Sequence, residues 1–166
     1  MTIAELIERH RRFAMDANVL IYVQEDVEPL AAIGRSLLDV IEDGAAQAVM
    51  SVVGLAEIVA GPARRGALAD VERILDEVRS IDGLTFRPVT ADVAVEAGIL
   101  RGVRRLALAD AIHLSSARAA GATALVTNDR RLRSSGRLEV VYLDDLQAVA
   151  SADGLSGEPL PSDAQP

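Results

Sequence analysis

The sequence predicts an α/β fold, a three-layer α/β/α sandwich in which helices cover both faces of a central, mainly parallel sheet. Five short apolar runs alternate with longer segments that carry apolar residues at helical spacing. Strands that alternate with helices in this way pair in parallel through right-handed crossovers. Half of the 166 residues are hydrophobic but only 2% are aromatic, which predicts an aliphatic core.

The first predicted elements are a short helix and a strand. Thr2 and Glu5 have the spacing of a capping box, so we expect a helix over about residues 3–12. We interpret residues 1–12 as an accessory helix that precedes the main domain. An apolar strand over residues 13–16 then ends in Asp16 and passes into a helical turn.

Strands and helices continue to alternate along the rest of the chain. The further predicted strands cover residues 48–51, 84–89, 124–127 and 138–143. The predicted helices cover residues 29–43, 53–60, 67–81, 90–102 and 106–120. We expect Gly61-Pro62 to end the second of these helices and Thr90 to cap the fourth.

The chain is expected to form one domain over residues 13–150, with a tail that does not fold. Residues 151–166 are rich in Gly, Ser, Pro and acidic residues and have no periodic apolar face. A segment of this composition cannot bury enough apolar surface to offset the entropy of ordering. We therefore predict that the tail is disordered.

Composition excludes several classes of protein. The chain contains no Cys and only two His, which excludes disulfide frameworks, thiol nucleophiles and Cys-rich or His-rich zinc sites. The net charge of -8 argues against broad electrostatic binding to nucleic acid, so any such contact should be local. The N-terminal segment carries Glu5 and Glu8 where a signal peptide has a basic start and an apolar run, and no run approaches the roughly 18 apolar residues that span a bilayer. We expect a cytoplasmic protein that does not bind membranes.

Four carboxylates occupy positions that suggest a common site. Asp16 and Asp129 follow predicted strands, at the edge of a parallel sheet where ligands bind. Glu57 and Asp110 lie within apolar helical segments, where a carboxylate is costly to bury unless it is paired, protonated or bound to a metal. If the four converge, their repulsion raises their pKa values and a divalent cation would relieve it. Oxygen ligands favour Mg²⁺ or Mn²⁺, and such ions support phosphodiester hydrolysis.

Each of these acids also has an ordinary structural interpretation. Asp16 and Asp129 could cap the helices that follow them. Glu57 could reach solvent from the edge of its helix, and Asp110 could be a helix-start charge that the helix dipole favours. If the four carboxylates converge in the folded protein, a shared site is favoured over these separate local roles.

Several neighbours of the acids are candidates for supporting roles. Thr127 and Asn128 precede Asp129 and could orient a carboxylate or a water molecule, although turn chemistry also explains Asn at this position. His113 lies one turn after Asp110 on the same helix face, where a packed histidine is more common than a ligand.

Arginines flank two of the acids and could form a basic rim that binds RNA phosphates. Exposed arginines more commonly only face solvent. The strongest candidates are Arg130 and Arg131, and the wider set adds Arg101, Arg104, Arg105 and Arg133.

These motifs together resemble the PIN-domain ribonucleases, and most closely their VapC toxin branch. The matching segments are Met-Asp-Ala-Asn-Val-Leu-Ile at 15–21, Glu57 in an apolar helix, Leu-Ala-Asp-Ala-Ile at 108–112 and Leu-Val-Thr-Asn-Asp at 125–129. The resemblance covers about residues 13–146. Asp16, Glu57, Asp110 and Asp129 match the acidic positions of the family.

The resemblance implies a function, a cofactor and partners. The protein would be an endoribonuclease toxin of a type II toxin-antitoxin pair, with Mg²⁺ or Mn²⁺ held by Asp16, Asp110 and Asp129. A small cognate antitoxin would inhibit it, and the toxin would be a homodimer. We expect the antitoxin to bind the apolar faces of the helices near residues 30–43 and 53–60.

Two other classes of protein deserve comparison. Phosphohydrolases and phospho-acceptor domains also place acids at strand ends, but Asn18 stands where they have a second Asp, and the chain lacks the Lys that they use. A non-catalytic binding module with the same fold is the other alternative, although the full set of four acids argues against it.

Overall fold

The computed structural model describes residues 1–147 and contains a five-stranded sheet in which every neighbouring pair of strands is parallel. The strand order is β3-β2-β1-β4-β5, with β1 in the centre. The strands are β1 (Arg12–Met15), β2 (Gln47–Ser51), β3 (Leu84–Arg87), β4 (Ala124–Thr127) and β5 (Glu139–Tyr142). The predicted α/β class and parallel pairing are confirmed.

Helices fill the connections between these strands. In chain order they are α1 (Ile3–Arg9), α2 (Ala17–Gln24), α3 (Leu30–Glu42), α4 (Val52–Arg64), α5 (Leu68–Arg79), α6 (Ala91–Arg104) and α7 (Leu108–Ala119). None of the helices in residues 1–147 has the length and apolar character needed to cross a membrane.

The sheet separates two hydrophobic clusters. Because successive side chains of a strand point to opposite faces, Phe13 and Met15 of β1 join one cluster and Ala14 joins the other. Helices α1 to α5 contribute to the first cluster, whereas α6 and α7 cover the second. This arrangement is the predicted three-layer sandwich.

Helix α1 is part of the core. Its Ile3 and Leu6 side chains are fully buried in the same cluster as Phe13. The predicted capping box is present, since Thr2 Oγ1 accepts from the Glu5 amide and the Thr2 amide donates to Glu5 Oε2. Helix α1 therefore precedes the segment that resembles the PIN domain, about residues 13–146, but packs into the same core. The predicted disordered tail, residues 151–166, lies outside the described residues.

The prediction that Gly61-Pro62 ends its helix is wrong, because α4 continues to Arg64 with Pro62 inside it. Proline in a helix removes one hydrogen bond from the ladder. In the last turn this loss is partly offset because Pro62 is buried against the rest of the protein. Tertiary packing here outweighs the local preference.

Candidate active site

Two of the four acids, Asp16 and Asp129, lie where the strand order of the sheet reverses. From β1 the chain moves to β2 and β3 on one side, and β4 and β5 lie on the other. In open parallel sheets, ligands bind in the crevice at the carboxyl ends of the two strands at such a reversal. Asp16 directly follows β1, Thr127 ends β4, and Asp129 lies two residues beyond.

Asp16 is held by side chains rather than by the start of a helix. It occupies the N-cap position of α2, but its carboxylate makes no capping hydrogen bond, so the capping interpretation is wrong. Asp16 Oδ2 instead accepts hydrogen bonds from Thr127 Oγ1 at 2.6 Å and from Asn18 Nδ2 at 3.4 Å. The side chain is buried and fixed in the crevice.

Glu57 and His113 complete a first cluster with Asp16. His113 Nε2 lies 2.7 Å from Glu57 Oε2 and 4.0 Å from Asp16 Oδ1. One ligand atom from each of the three residues lies within 4.8 Å of the others, and within residues 1–147 only this group of His and acidic side chains converges so closely. Although the Glu57 side chain is 36% exposed, it is tied to the site and does not simply face solvent.

The charges around His113 favour its protonated form. Burial alone lowers the pKa of His113, but the hydrogen bond to Glu57 and the negative charges of Asp16, Glu57 and Asp110 outweigh this effect. The pKa of His113 therefore lies above its ordinary value.

Asp110 and Asp129 form a second cluster around the Arg131 guanidinium. Arg131 Nη2 lies 2.6 Å from Asp129 Oδ2 and 3.6 Å from Asp110 Oδ2. The hydrogen bond from Arg131 holds the pKa of Asp129 below its usual range. Burial, followed by the nearby charge of Asp129, raises the pKa of Asp110 despite the presence of Arg131, and Asp16 adds to this rise.

Asp110 and Asp129 also show some of the local features expected of a helix-start charge and a capping residue. Asp110 lies in the first turn of α7, where the helix dipole favours a negative charge. Asp129 Oδ1 accepts a hydrogen bond from the Arg131 amide, although no helix forms over residues 130–132. These local contacts accompany the cluster and do not exclude a role in it.

Thr127 joins the two clusters. Its hydroxyl donates to Asp16 Oδ2 and accepts a hydrogen bond from the Asp129 amide at 3.0 Å. The side chain is fully buried, so this pair of contacts orients both the Asp16 carboxylate and the turn that carries Asp129. Asn128 points elsewhere, since its Oδ1 accepts from the backbone amide of Asp144 at 3.4 Å.

Of the two arginines predicted to bind RNA, only Arg131 contacts acids of the candidate site, namely Asp110 and Asp129. Arg130 pairs with Asp144 and Asp145, and its guanidinium lies 4.1 Å from the centroid of the Tyr142 ring. The Arg131 side chain is 73% exposed and reaches over Asp129.

Sequence reasoning assigned His113 to packing and missed its contact with Glu57. The sequence favours a packed or partly exposed histidine over a ligand, and the position one turn after Asp110 places it on the correct helix face. The partner, however, comes from α4, which lies 56 residues earlier in the chain. The shared face with Asp110 was the only signal that could have identified it.

The residues present fit a divalent cation. The four acids offer only oxygen atoms, which suits Mg²⁺ or Mn²⁺ better than softer metals. Asp110 is destabilised as an anion by its surroundings and by neighbouring acids. Arg131 shows that a positive charge is favoured between Asp110 and Asp129.

The fold and the site define an α/β protein with an acidic cluster at the strand-order reversal of a parallel sheet. The family model of the PIN domain matches residues 14–138. The chain therefore belongs to the PIN domain family. Helix α1 precedes the matched segment.

Solved structures share the fold. The chain is similar to a chain of VapBC2 from Rickettsia felis bound to a DNA fragment from its promoter, with a TM-score of 0.63, 19% identity and coverage of 79% of this chain and 98% of that chain. A chain of DNA-bound VapBC from Salmonella typhimurium gives a TM-score of 0.58 and 19% identity, with coverage of 80% of this chain and 98% of that chain. A chain of a toxin-antitoxin complex from Klebsiella pneumoniae gives a TM-score of 0.56 and 19% identity, with coverage of 76% of this chain and 94% of that chain. A search of curated protein sequences gives no significant match.

Proposed function

We propose that the protein is a Mg²⁺- or Mn²⁺-dependent endoribonuclease that acts in the cytoplasm as the VapC-type toxin of a type II toxin-antitoxin pair. The observation that carries this proposal is a pair of acidic clusters, Asp16 with Glu57 and Asp110 with Asp129. Thr127 joins the two clusters at the carboxyl ends of β1 and β4. Membership of the PIN domain family and the similarity to chains of toxin-antitoxin complexes support it.

Each residue has a distinct part in the proposed reaction. Asp16, Asp110 and Asp129 would hold the cation, which supplies a more acidic water and neutralises charge on the phosphate. Glu57 has the most exposed side chain of the four acids. It would accept a proton from the attacking water. Arg131 could exchange its contact with Asp129 for the RNA phosphate, since most of its side chain is exposed.

The reaction is tested with purified protein and a labelled RNA. Cleavage is expected with Mn²⁺ or Mg²⁺, loss of cleavage with EDTA, and recovery when excess Mn²⁺ is returned, because the proposed reaction needs a divalent cation to acidify the attacking water and to neutralise charge on the phosphate. The products are measured on denaturing gels, with calcium-loaded EDTA as the control for chelator effects. Cleavage that is insensitive to EDTA would contradict the metal-dependent mechanism. A complete lack of cleavage would favour the non-catalytic binding module.

An antitoxin segment would fit the groove between α2, α4 and α5. This groove has a volume of about 330 Å³ and extends to Glu57. Its lining combines isoleucines with arginines, namely Ile21, Ile58, Ile74, Arg64, Arg65 and Arg73. An occupant of this groove would therefore lie next to the proposed site and could block it.

The prediction that the antitoxin binds the apolar face of the helix near residues 30–43 is corrected by the structure. The apolar face of α3 packs into the core, where Ile33, Leu37 and Ile41 are buried. The expected involvement of α4 remains a proposal, because α4 lines the groove.

Replacing Ile21 with Asp is expected to prevent rescue by the antitoxin. Ile21 is partly exposed at the groove, and a charge there would oppose burial of an apolar segment. Growth is measured while the toxin is expressed with the small reading frame adjacent to its gene, and Leu68→Asp on the exposed surface is the control. Normal rescue of the Ile21→Asp variant, with RNA cleavage retained, would exclude this groove.

We also propose that α6 forms the homodimer interface. It exposes a stripe of apolar side chains, with Val95 64% exposed, Ile99 60% and Val103 79%. Gly98 and Gly102 lie among them with no atom near the place of a Cβ. The helix begins with Asp92 and ends with arginines, so antiparallel pairing about a two-fold axis would bring opposite charges towards each other.

Replacing Gly102 with Leu is expected to convert the dimer into a monomer. The larger side chain would block close helix packing, whereas the isolated helix should gain about 1 kcal/mol because Gly is a poor helix former. Sedimentation velocity measures the association, thermal unfolding checks the fold, and Ala69→Leu adds the same side chain on the exposed surface of another helix, α5. A Gly102→Leu variant that remains dimeric would exclude this face.

A further inference from the structure

We propose that His113 is a positioning residue that holds the Glu57 carboxylate at the cation site through a hydrogen bond donated by Nε2. The inference deepens the proposed function, because it concerns how one acid of that site is kept in place. It rests on the 2.7 Å contact between His113 Nε2 and Glu57 Oε2.

Two features of the contact place a proton on Nε2. If Nε2 lacked a proton, its lone pair would face a carboxylate oxygen at 2.7 Å, which is repulsive. If the only proton were on Nδ1, that buried N–H would have no acceptor among the described residues, since Nδ1 has no hydrogen-bond partner. The neutral ring with its proton on Nε2 avoids both costs. The fully protonated ring leaves the Nδ1–H unpaired as well, but it gains the attraction of the Glu57 and Asp16 carboxylates. Both forms place a donor against Glu57.

A proton on Nε2 also separates this role from metal coordination. A histidine nitrogen binds a metal only through its free lone pair. Nε2 is the ring atom that faces both Asp16 and Glu57, at 4.0 and 2.7 Å. In this arrangement His113 donates to a carboxylate rather than competing for the ion.

His113 and Glu57 differ in how tightly the protein encloses their side chains. The His113 side chain is 3% exposed and is fixed within α7, whereas the Glu57 side chain is 36% exposed and lies at the end of three rotatable bonds. Helix α7 carries Asp110 one turn before His113. The same helix therefore supplies one acid of the site and fixes another that belongs to α4.

The inference is tested by Mn²⁺ titration calorimetry without RNA. Although Asp16, Asp110 and Asp129 would hold the cation, the negative charge of Glu57 beside Asp16 would also stabilise it. His113→Leu removes the donor that keeps this charge in place and should weaken Mn²⁺ binding about tenfold, the effect typical of residues that orient the groups around a metal. His113→Gln places an amide N–H near the position of Nε2 and should bind nearly as the wild type does. Glu57→Ala should weaken binding, and adding His113→Leu to it should cause no further loss, because His113 acts through Glu57.

Ser116 offers a matched control. Its hydroxyl is buried one turn further along α7 and makes no hydrogen bond within residues 1–147, so Ser116→Ala should leave Mn²⁺ affinity unchanged. Losses that multiply in the double variant, or a Gln variant as weak as the Leu variant, would overturn the inference. A wild-type protein that does not bind Mn²⁺ would instead contradict the proposed function.

Nitrogen NMR of the histidine rings tests the hydrogen bond first in wild-type protein, where the result does not depend on whether a variant folds, and then in one variant. We expect Nε2 of His113 to carry a proton both before and after Mg²⁺ is added, and its signal to shift in Glu57→Ala. Loss of that proton on adding Mg²⁺ would identify His113 as a ligand and overturn the inference. An unchanged signal in Glu57→Ala would also overturn it.

Discussion

Replacing Asp16 with Asn is expected to reduce RNA cleavage by about 10²–10³-fold, the loss seen when one preorganised electrostatic group is removed from an active site. Asp16 is the buried carboxylate at the centre of the site, and its Oδ1 faces the cluster while Oδ2 is held by Thr127. The amide keeps the size of the side chain but loses the charge that would bind a cation. Single-turnover cleavage under saturating Mn²⁺ measures the effect.

The Asp16→Asn protein should nevertheless remain folded. Neutralising one of several neighbouring acids removes repulsion, so the free energy of unfolding without metal should not fall substantially. Asp39→Asn is the control, because Asp39 is an exposed acid on α3. Full cleavage by a folded Asp16→Asn variant would contradict the assignment of this residue.

Replacing Thr127 with Val is expected to reduce cleavage by about 10- to 100-fold, as for other residues that orient metal ligands. Valine has nearly the same shape but cannot donate to Asp16 Oδ2 or accept from the Asp129 amide. Both the carboxylate and the turn after β4 would then lose their orientation. The free energy of unfolding should fall by about 1–3 kcal/mol, because a buried partner is left unsatisfied.

Thr127→Ser is the matched variant. It keeps the hydroxyl group and should retain most of the activity, although it loses a buried methyl group. Cleavage rates and urea unfolding of the two variants separate orientation from stability. If the Ser and Val variants lose activity equally, the hydroxyl is not what orients the site.

The alternation of apolar runs and helical segments was sufficient to predict the layers and the strands. The predicted strand over residues 124–127 is observed at those residues, and the other strands agree to within about two residues. A buried parallel strand requires apolar side chains on both faces, which makes it visible as a short apolar run. Gly61-Pro62 was misleading because local preference does not include the burial of Pro62.

The positions of Asp16 and Asp129 were predictable because a parallel sheet brings all strand ends to one edge. Glu57 was harder to place, since an acid on a helix can face either solvent or a site. The structure resolves this by the contact with His113, and it likewise gives Arg131 two carboxylate partners.

The sequence by itself determined the fold class, the strand ends and the candidate acids, because these depend on local periodicity and on the rules of parallel sheets. Only the tertiary structure decided which side chains meet. The contacts of His113 with Glu57 and of Thr127 with Asp16 join residues 56 and 111 positions apart. Such contacts depend on how whole helices and strands pack, and no local pattern in the sequence records them.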